Sequence, residues 1–202
     1  MKSSTFKIGF IFKTEQTRII LFFVVVLLCS CNGRKKREET TKVLLEWIEK
    51  EILFPENITC YISGKEALRG FCDECIQKEY KILLYVDSTG CSDCQLNLFE
   101  WNNIIEEADS LFQERLGFVF YFQPKNVRDM TNLFFTKRFE YPVIMDINGE
   151  INRRNNFPKM MEHQCFLLGN DNKVLAIGNP ALSHRIWVLY KSIIIDNVTY
   201  KE

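Results

Sequence analysis

The chain has 202 residues, 47% of them hydrophobic and 13% aromatic, enough apolar side chain to fill one packed core, which excludes a disordered polypeptide. Lysine plus arginine and aspartate plus glutamate both total 26, so the formal net charge is +0 and the basic excess expected of a nucleic-acid binder is missing. Eight cysteines leave sulfur chemistry as the open class.

Lys2, Lys7, Lys13 and Arg18 precede the run Ile19 to Leu28, ten apolar residues that fall short of a bilayer span and suit the core of a signal peptide. The run ends Leu28-Cys29-Ser30-Cys31, a sequence that resembles a bacterial lipoprotein box. On that resemblance residues 1–30 are a lipoprotein signal peptide, and Cys31 is acylated and becomes the mature N-terminus. A transmembrane anchor that adds Ile8 to Phe12 is the alternative, although Lys13, Glu15, Gln16 and Arg18 interrupt it. Arg34-Lys-Lys-Arg37 lies where positive charge resists translocation, and the same charges can meet anionic headgroups. Export would place Cys60, Cys72, Cys75, Cys91, Cys94 and Cys165 in an envelope compartment, facing the periplasm or the cell surface, where disulfides persist.

Residues 31–55 are predicted to form a tether and an amphipathic helix, Glu38 to Leu53, with Val43, Leu44, Trp47, Ile48 and Ile52 on one side and Phe54-Pro55 as the stop. Residues 56–80 lack periodicity and are expected to be irregular, with a possible β segment around Ile58 to Ile62. From residue 81 to 202 the pattern is regular and predicts one domain. Lys81 to Val86 is a buried strand, and Asp87-Ser-Thr-Gly-Cys91-Ser-Asp-Cys94 leads from it into a helix running from Gln95 to Phe112. Leu98, Trp101, Ile105, Ala108 and Phe112 mark the core side of that helix. Gly117 to Gln123 is the second strand. Asn126 is the N-cap of a helix to Phe139, with Val127, Met130, Leu133 and Phe134 inward. Tyr141 to Asp146 is the third strand. Gln164 to Leu168 and Lys173 to Ile177 form a hairpin across Gly169-Asn-Asp-Asn172, and a last helix from about Ala181 to Ile194 presents Leu182, Ile186, Leu189 and Ile193. Alternating strands and helices closed by a hairpin and a helix predict a central mixed sheet flanked by helices.

A cysteine pair at a strand-to-helix corner suits thiol chemistry, because the unpaired N–H groups and positive end of a helix stabilise a thiolate. The order of elements around Cys91-x-x-Cys94 resembles the thioredoxin-like fold. The added Tyr-Pro-Val strand and the Phe166 to Val174 hairpin resemble its membrane-tethered TlpA-type members. The lipobox, Ile52 to Pro55, Tyr85 to Cys94, Tyr141-Pro142 and Lys173 to Pro180 together are similar to thioredoxin-like lipoproteins of Bacteroides-type bacteria. The resemblance covers about residues 20 to 194 and implies thiol–disulfide exchange in the envelope, with Cys91 as nucleophile and Cys94 as resolving thiol. It implies a protein thiol or disulfide partner, a membrane contact through the lipid anchor, and no small-molecule cofactor. The chain departs from the pattern in two respects. His163 stands about where the family has a cis-proline, and Gly90, Ser92 and Asp93 replace the usual residues in and before the motif, Asp93 favouring the protonated thiol.

Asp87 is a candidate proton acceptor for Cys94 or an exposed turn residue. Cys72-Asp-Glu-Cys75 is separated from Cys91-Ser-Asp-Cys94 by fifteen residues, a spacing that also fits zinc held by Cys72, Cys75, Cys91 and Cys94. Other readings of Cys72 and Cys75 are a disulfide between them, two loop thiols, or an accessory pair relaying electrons to Cys91 and Cys94. Cys60 and Cys165 read as buried fillers or a structural pair. Trp47 and Trp101 read as core aromatics, and Arg153-Arg154 as a solvated loop pair. His163 and His184 are the only histidines, and no serine elbow, phosphate-binding glycine loop or carboxylate cluster accompanies them, which argues against hydrolase and nucleotide chemistry. Three functions stay open: a tethered oxidoreductase, a non-enzymatic binding platform on the same fold, and a zinc domain.

Overall fold

The computed structural model describes residues 37–67, 70–88 and 96–199. Two compact units divide the chain, 1–45 and 46–202. Residues 37–45 of the first are helical, as part of α1 (37–47). Among the described residues no helix is long and apolar enough to cross a membrane, and the run Ile19 to Leu28 lies outside them.

The second unit is built on β3 (Tyr80–Val86) and β4 (Leu116–Phe122), seven residues each and buried throughout. Near-continuous apolar strands of this kind are stable only where both faces of the sheet are covered. β3 and β4 are parallel, from Tyr80 opposite Leu116 to Val86 opposite Phe122. The short β5 (Val143–Met145) continues the parallel set beside Phe120 to Phe122. On the other side β6 (Cys165–Leu168) runs antiparallel to β3, and β7 (Val174–Ile177) antiparallel to β6. A hairpin of β1 (Cys60–Ile62) and β2 (Lys65–Ala67) closes the β5 edge, giving the order β2-β1-β5-β4-β3-β6-β7.

Strand alternation sorts the covering elements. Ile82, Leu84, Val86, Phe118, Phe120 and Phe122 pack with α3 (Leu98–Phe112), α4 (Val127–Thr136) and α6 (His184–Thr199). Tyr85 and Phe166 turn to the other face, where their rings meet Phe157 and, from Phe166, Trp47. That side also carries α2 (Gly70–Gln77) and α5 (Glu150–Asn155). Gly117 lets α2 approach β4, since a Cβ at that position would stand 2.5 Å from the Cys75 carbonyl oxygen.

Several expected elements are changed. The helix from Gln95 breaks: Leu96 is helical, Asn97 adopts a left-handed conformation at φ 46, and α3 starts at Leu98. Asn97 Nδ2 donates to the Ala181 carbonyl at 2.7 Å, which ties this break to the loop before α6. Ile104, not Ile105, is the fully buried residue of that turn. The first helix stops at residue 47 instead of Leu53, because Glu49 to Ile52 leave it to exchange backbone hydrogen bonds with Asn172 and Val174 along the free side of the β7 hairpin. In the last helix Trp187, Tyr190 and Ile194 are buried and the expected Ile186 and Ile193 pack partly buried against the core, whereas Leu189, and Leu182 in the loop before the helix, are exposed. Segment 56–80 holds β1, β2 and the whole of α2. Arg153 and Arg154 are helical, in α5, whose first N–H groups, on Glu150 and Ile151, donate to the Asp146 carboxylate at 2.8 and 2.9 Å.

Candidate functional site

The chain order puts Cys91-Ser-Asp-Cys94 between the carboxyl end of β3 and the start of α3. Cys91, Cys94 and Cys31 lie outside the described residues. The frame around the motif's point of attachment is described. Asp87 follows β3 directly and is half-buried. On one side of the strand end Gln123 N donates to the Val86 carbonyl at 2.8 Å, and on the other Tyr85 N donates to the Gln164 carbonyl at 2.9 Å. Tyr85 Oη donates to Gln123 Oε1 at 2.8 Å, bracing the β3 and β4 ends against each other.

His163 and Gln164 thus flank the end of β3, at the position where the resemblance places a cis-proline. Both are buried, and Gln164 Nε2 donates to the Pro158 carbonyl at 2.8 Å. All peptide bonds among the described residues are trans. His184 is exposed at the start of α6.

The structure rearranges the sequence reading of the other cysteines. Cys72 is disulfide-bonded to Cys60, so α2 is linked to β1, and a Cys72–Cys75 disulfide is not the pairing found. Cys60 is therefore half of a structural pair, whereas Cys165 is a buried free thiol in β6 whose pKa burial pushes far up. With Cys72 so bonded, the set Cys72, Cys75, Cys91 and Cys94 lacks one thiolate for zinc. Among the described residues no three metal-ligating side chains cluster. Trp47 and Trp101 are core aromatics, as expected.

Cys75 keeps a free, partly buried thiol. Its Sγ lies 3.5 Å from Tyr141 Oη, and the same hydroxyl accepts from Phe118 N at 3.4 Å. Phe118 lies below the part of β4 that β5 reaches, so the phenol supplies the acceptor a longer strand would have given. Burial pushes the Cys75 thiol up, and the Tyr141 hydroxyl pulls it partly back. Burial and the neighbouring sulfur also hold Tyr141 protonated. The sequence marked Tyr141 only as a strand opening; a hydroxyl that meets both a backbone N–H and a sulfur from another element leaves no periodic trace.

No family model and no curated protein matches the chain. A thiol-disulfide oxidoreductase from Bacteroides fragilis matches at a TM-score of 0.50 and 14% identity, over 69% of this chain and 99% of that one. The fold is thioredoxin-like. The thioredoxin domain of a thiol-disulfide oxidoreductase from Bacteroides vulgatus matches at 0.49 and 11% identity, over 71% and 97% of the two chains. Peroxiredoxin Q from Xanthomonas campestris matches at 0.46 and 13%, over 67% and 89%. At such identities the likeness is one of fold, and activity has to be argued from the residues.

Proposed function

We propose that this chain is a thiol–disulfide oxidoreductase of the bacterial envelope, tethered through lipid on Cys31, with Cys91 as attacking thiol and Cys94 as resolver. The observation that carries the reading is the attachment of Cys91-x-x-Cys94 to the carboxyl end of the central parallel strand of a thioredoxin-like sheet. The Cys60–Cys72 disulfide supports an oxidising compartment.

In the reducing direction the Cys91 thiolate attacks one sulfur of a partner protein's disulfide. That bond breaks, a mixed disulfide forms, and the partner's other sulfur leaves as thiolate and takes a proton. The Cys94 thiolate then attacks Cys91 Sγ, releasing the partner as a dithiol and leaving Cys91–Cys94 oxidised. A donor dithiol protein reverses the last state. In this reading Asp87, half-buried directly after β3, accepts the Cys94 proton.

Insulin-disulfide reduction with dithiothreitol as donor tests the assignment. Cys91→Ser is expected to lose the protein-dependent rate at least 100-fold, and Cys94→Ser to accumulate mixed disulfides that mass spectrometry identifies. Equal rates in wild type and Cys91→Ser would leave the fold as a binding platform, the reading that His163 and Gln164 at the proline position favour. Radiolabelled palmitate incorporated by wild type and lost in Cys31→Ser tests the tether.

A further inference from the structure

Cys75 keeps its thiol on the same helix, and against the same cleft, as Cys72 of the disulfide. Cys72 and Cys75 lie three residues apart on α2, where helix geometry sets their Cα atoms about 5 Å apart, inside the range of about 4.4–6.8 Å that a disulfide bridges. Both line one apolar cleft against the sheet, with Phe118, Phe120, Pro142 and Ile144. Cys72 is already joined to Cys60. The Tyr141 hydroxyl stands 3.5 Å from Cys75 Sγ and accepts from Phe118 N on another side, so once the thiol has lost its proton the phenol O–H is in reach to donate to the sulfur. A phenol in that position stabilises a thiolate, the form that attacks a disulfide.

We propose that Cys60, Cys72 and Cys75 form a second thiol–disulfide exchange centre, in which Cys75 attacks the Cys60–Cys72 disulfide and Tyr141 positions the attacking thiolate. The Cys75 thiolate, its proton given up to solvent, bonds to Cys72 Sγ. The Cys60–Cys72 bond breaks, and Cys60 leaves as a thiolate that takes a proton back. One disulfide and one thiol stand on each side, so neither oxidant nor reductant is consumed. The product moves the disulfide wholly into α2 and frees β1 from that helix. The β1–β2 hairpin is then held to the rest of the sheet by its pairing of Cys60 and Tyr61 with Ile144 and Val143. This centre is independent of the Cys91 and Cys94 assignment, and β1 stands three strand spacings, about 14 Å, from β3.

The experiment uses the full chain carrying Cys91→Ser and Cys94→Ser, held at pH 7, 8 and 9, quenched in acid at intervals, alkylated and digested with trypsin. Lys65, Arg69 and Lys78 separate the two outcomes: the Cys60–Cys72 disulfide joins two peptides, whereas Cys72–Cys75 lies within Gly70 to Lys78. A tenth or more of the protein is expected to carry the internal disulfide with alkylated Cys60 at equilibrium, reached about tenfold faster per pH unit while the thiol is mostly protonated. Cys75→Ser in this background removes that product. Tyr141→Phe is expected to slow its appearance about tenfold at pH 7 with Cys60–Cys72 still the starting pair. Finding only the cross-linked peptides under native conditions, while the same protein in urea yields both forms, overturns the proposal. An unchanged rate in Tyr141→Phe removes the role given to the phenol.

Discussion

Lys81 is a lysine enclosed in the sheet, at odds with its chemistry. It sits in a strand buried throughout, its chain enclosed, its Nζ reaching the Asn170 carbonyl at 3.3 Å. Burial lowers its pKa to about 8, and Asp171 opposes that shift. The sign follows from linkage: between about pH 8 and 10.4 the unfolded chain binds the proton that the folded chain has lost, so this group adds stability as pH rises through that window. Below it the buried ammonium works against the fold. Lys81→Met is expected to raise stability at pH 7 by about 1 kcal/mol and to flatten the rise above pH 8, read by urea unfolding at both values. An unchanged midpoint at pH 7 would place the ammonium in solvent. In the sequence Lys81 passes for the polar start of a strand, because the Asn170 turn that receives it lies 89 residues on. Asn126 is the opposite case: its cap is local, its Oδ1 accepts from Arg128 N at 2.9 Å, and it reads directly from the chain.

Elements with strong periodicity or caps were legible, and those fixed by neighbours were not. β3, β4 and α4 fall within a few residues of expectation, since each carries its own run of apolar side chains. In α6 the expected Ile186 and Ile193 do pack against the core, but the stripe is centred on Trp187 and Tyr190, two bulky aromatics whose polar handles are held from elsewhere, and Leu182 and Leu189 are left exposed. Trp187 Nε1 donates to Glu107 at 2.7 Å, and Tyr190 Oη to the Gly178 carbonyl at 2.8 Å, and both contacts come from elsewhere in the fold. α2 left no signal, as eight residues with two cysteines and two acids show no stripe. Its place depends instead on Gly117 of β4. Gly117→Ala forces its methyl against the Cys75 carbonyl, backbone that cannot rotate aside, and is expected to cost about 2 kcal/mol by thermal or urea unfolding. An alanine tolerated within about 0.5 kcal/mol would mean that α2 shifts freely on the sheet.

Over the unit from residue 46 onward, the succession of strands and helices dictated the parallel centre, because parallel neighbours need crossovers and the pattern offered a helix for each. The β5 edge could not be read in the same way. β1 and β2 are three residues each, and the linkage of Cys60 to Cys72 is one of many connectivities that the cysteines permit. Short strands at an edge hold few hydrogen bonds and little apolar area, so the covalent link should carry much of that edge's stability. A loop closed over a separation of 12 restricts the unfolded chain by about 3 kcal/mol, which for a domain of this size lowers Tm by about 6–12 °C when it is lost. Cys60→Ser with Cys72→Ser is expected to show that fall in calorimetry and faster tryptic cleavage at the exposed Lys65 than the wild type shows, with Lys81 as slow as before, since the hairpin loses its hold while β3 stays inside the sheet. A fall with the Lys65 cleavage rate unchanged would mean that the link stabilises the whole sheet through the unfolded chain and leaves the edge no looser than before.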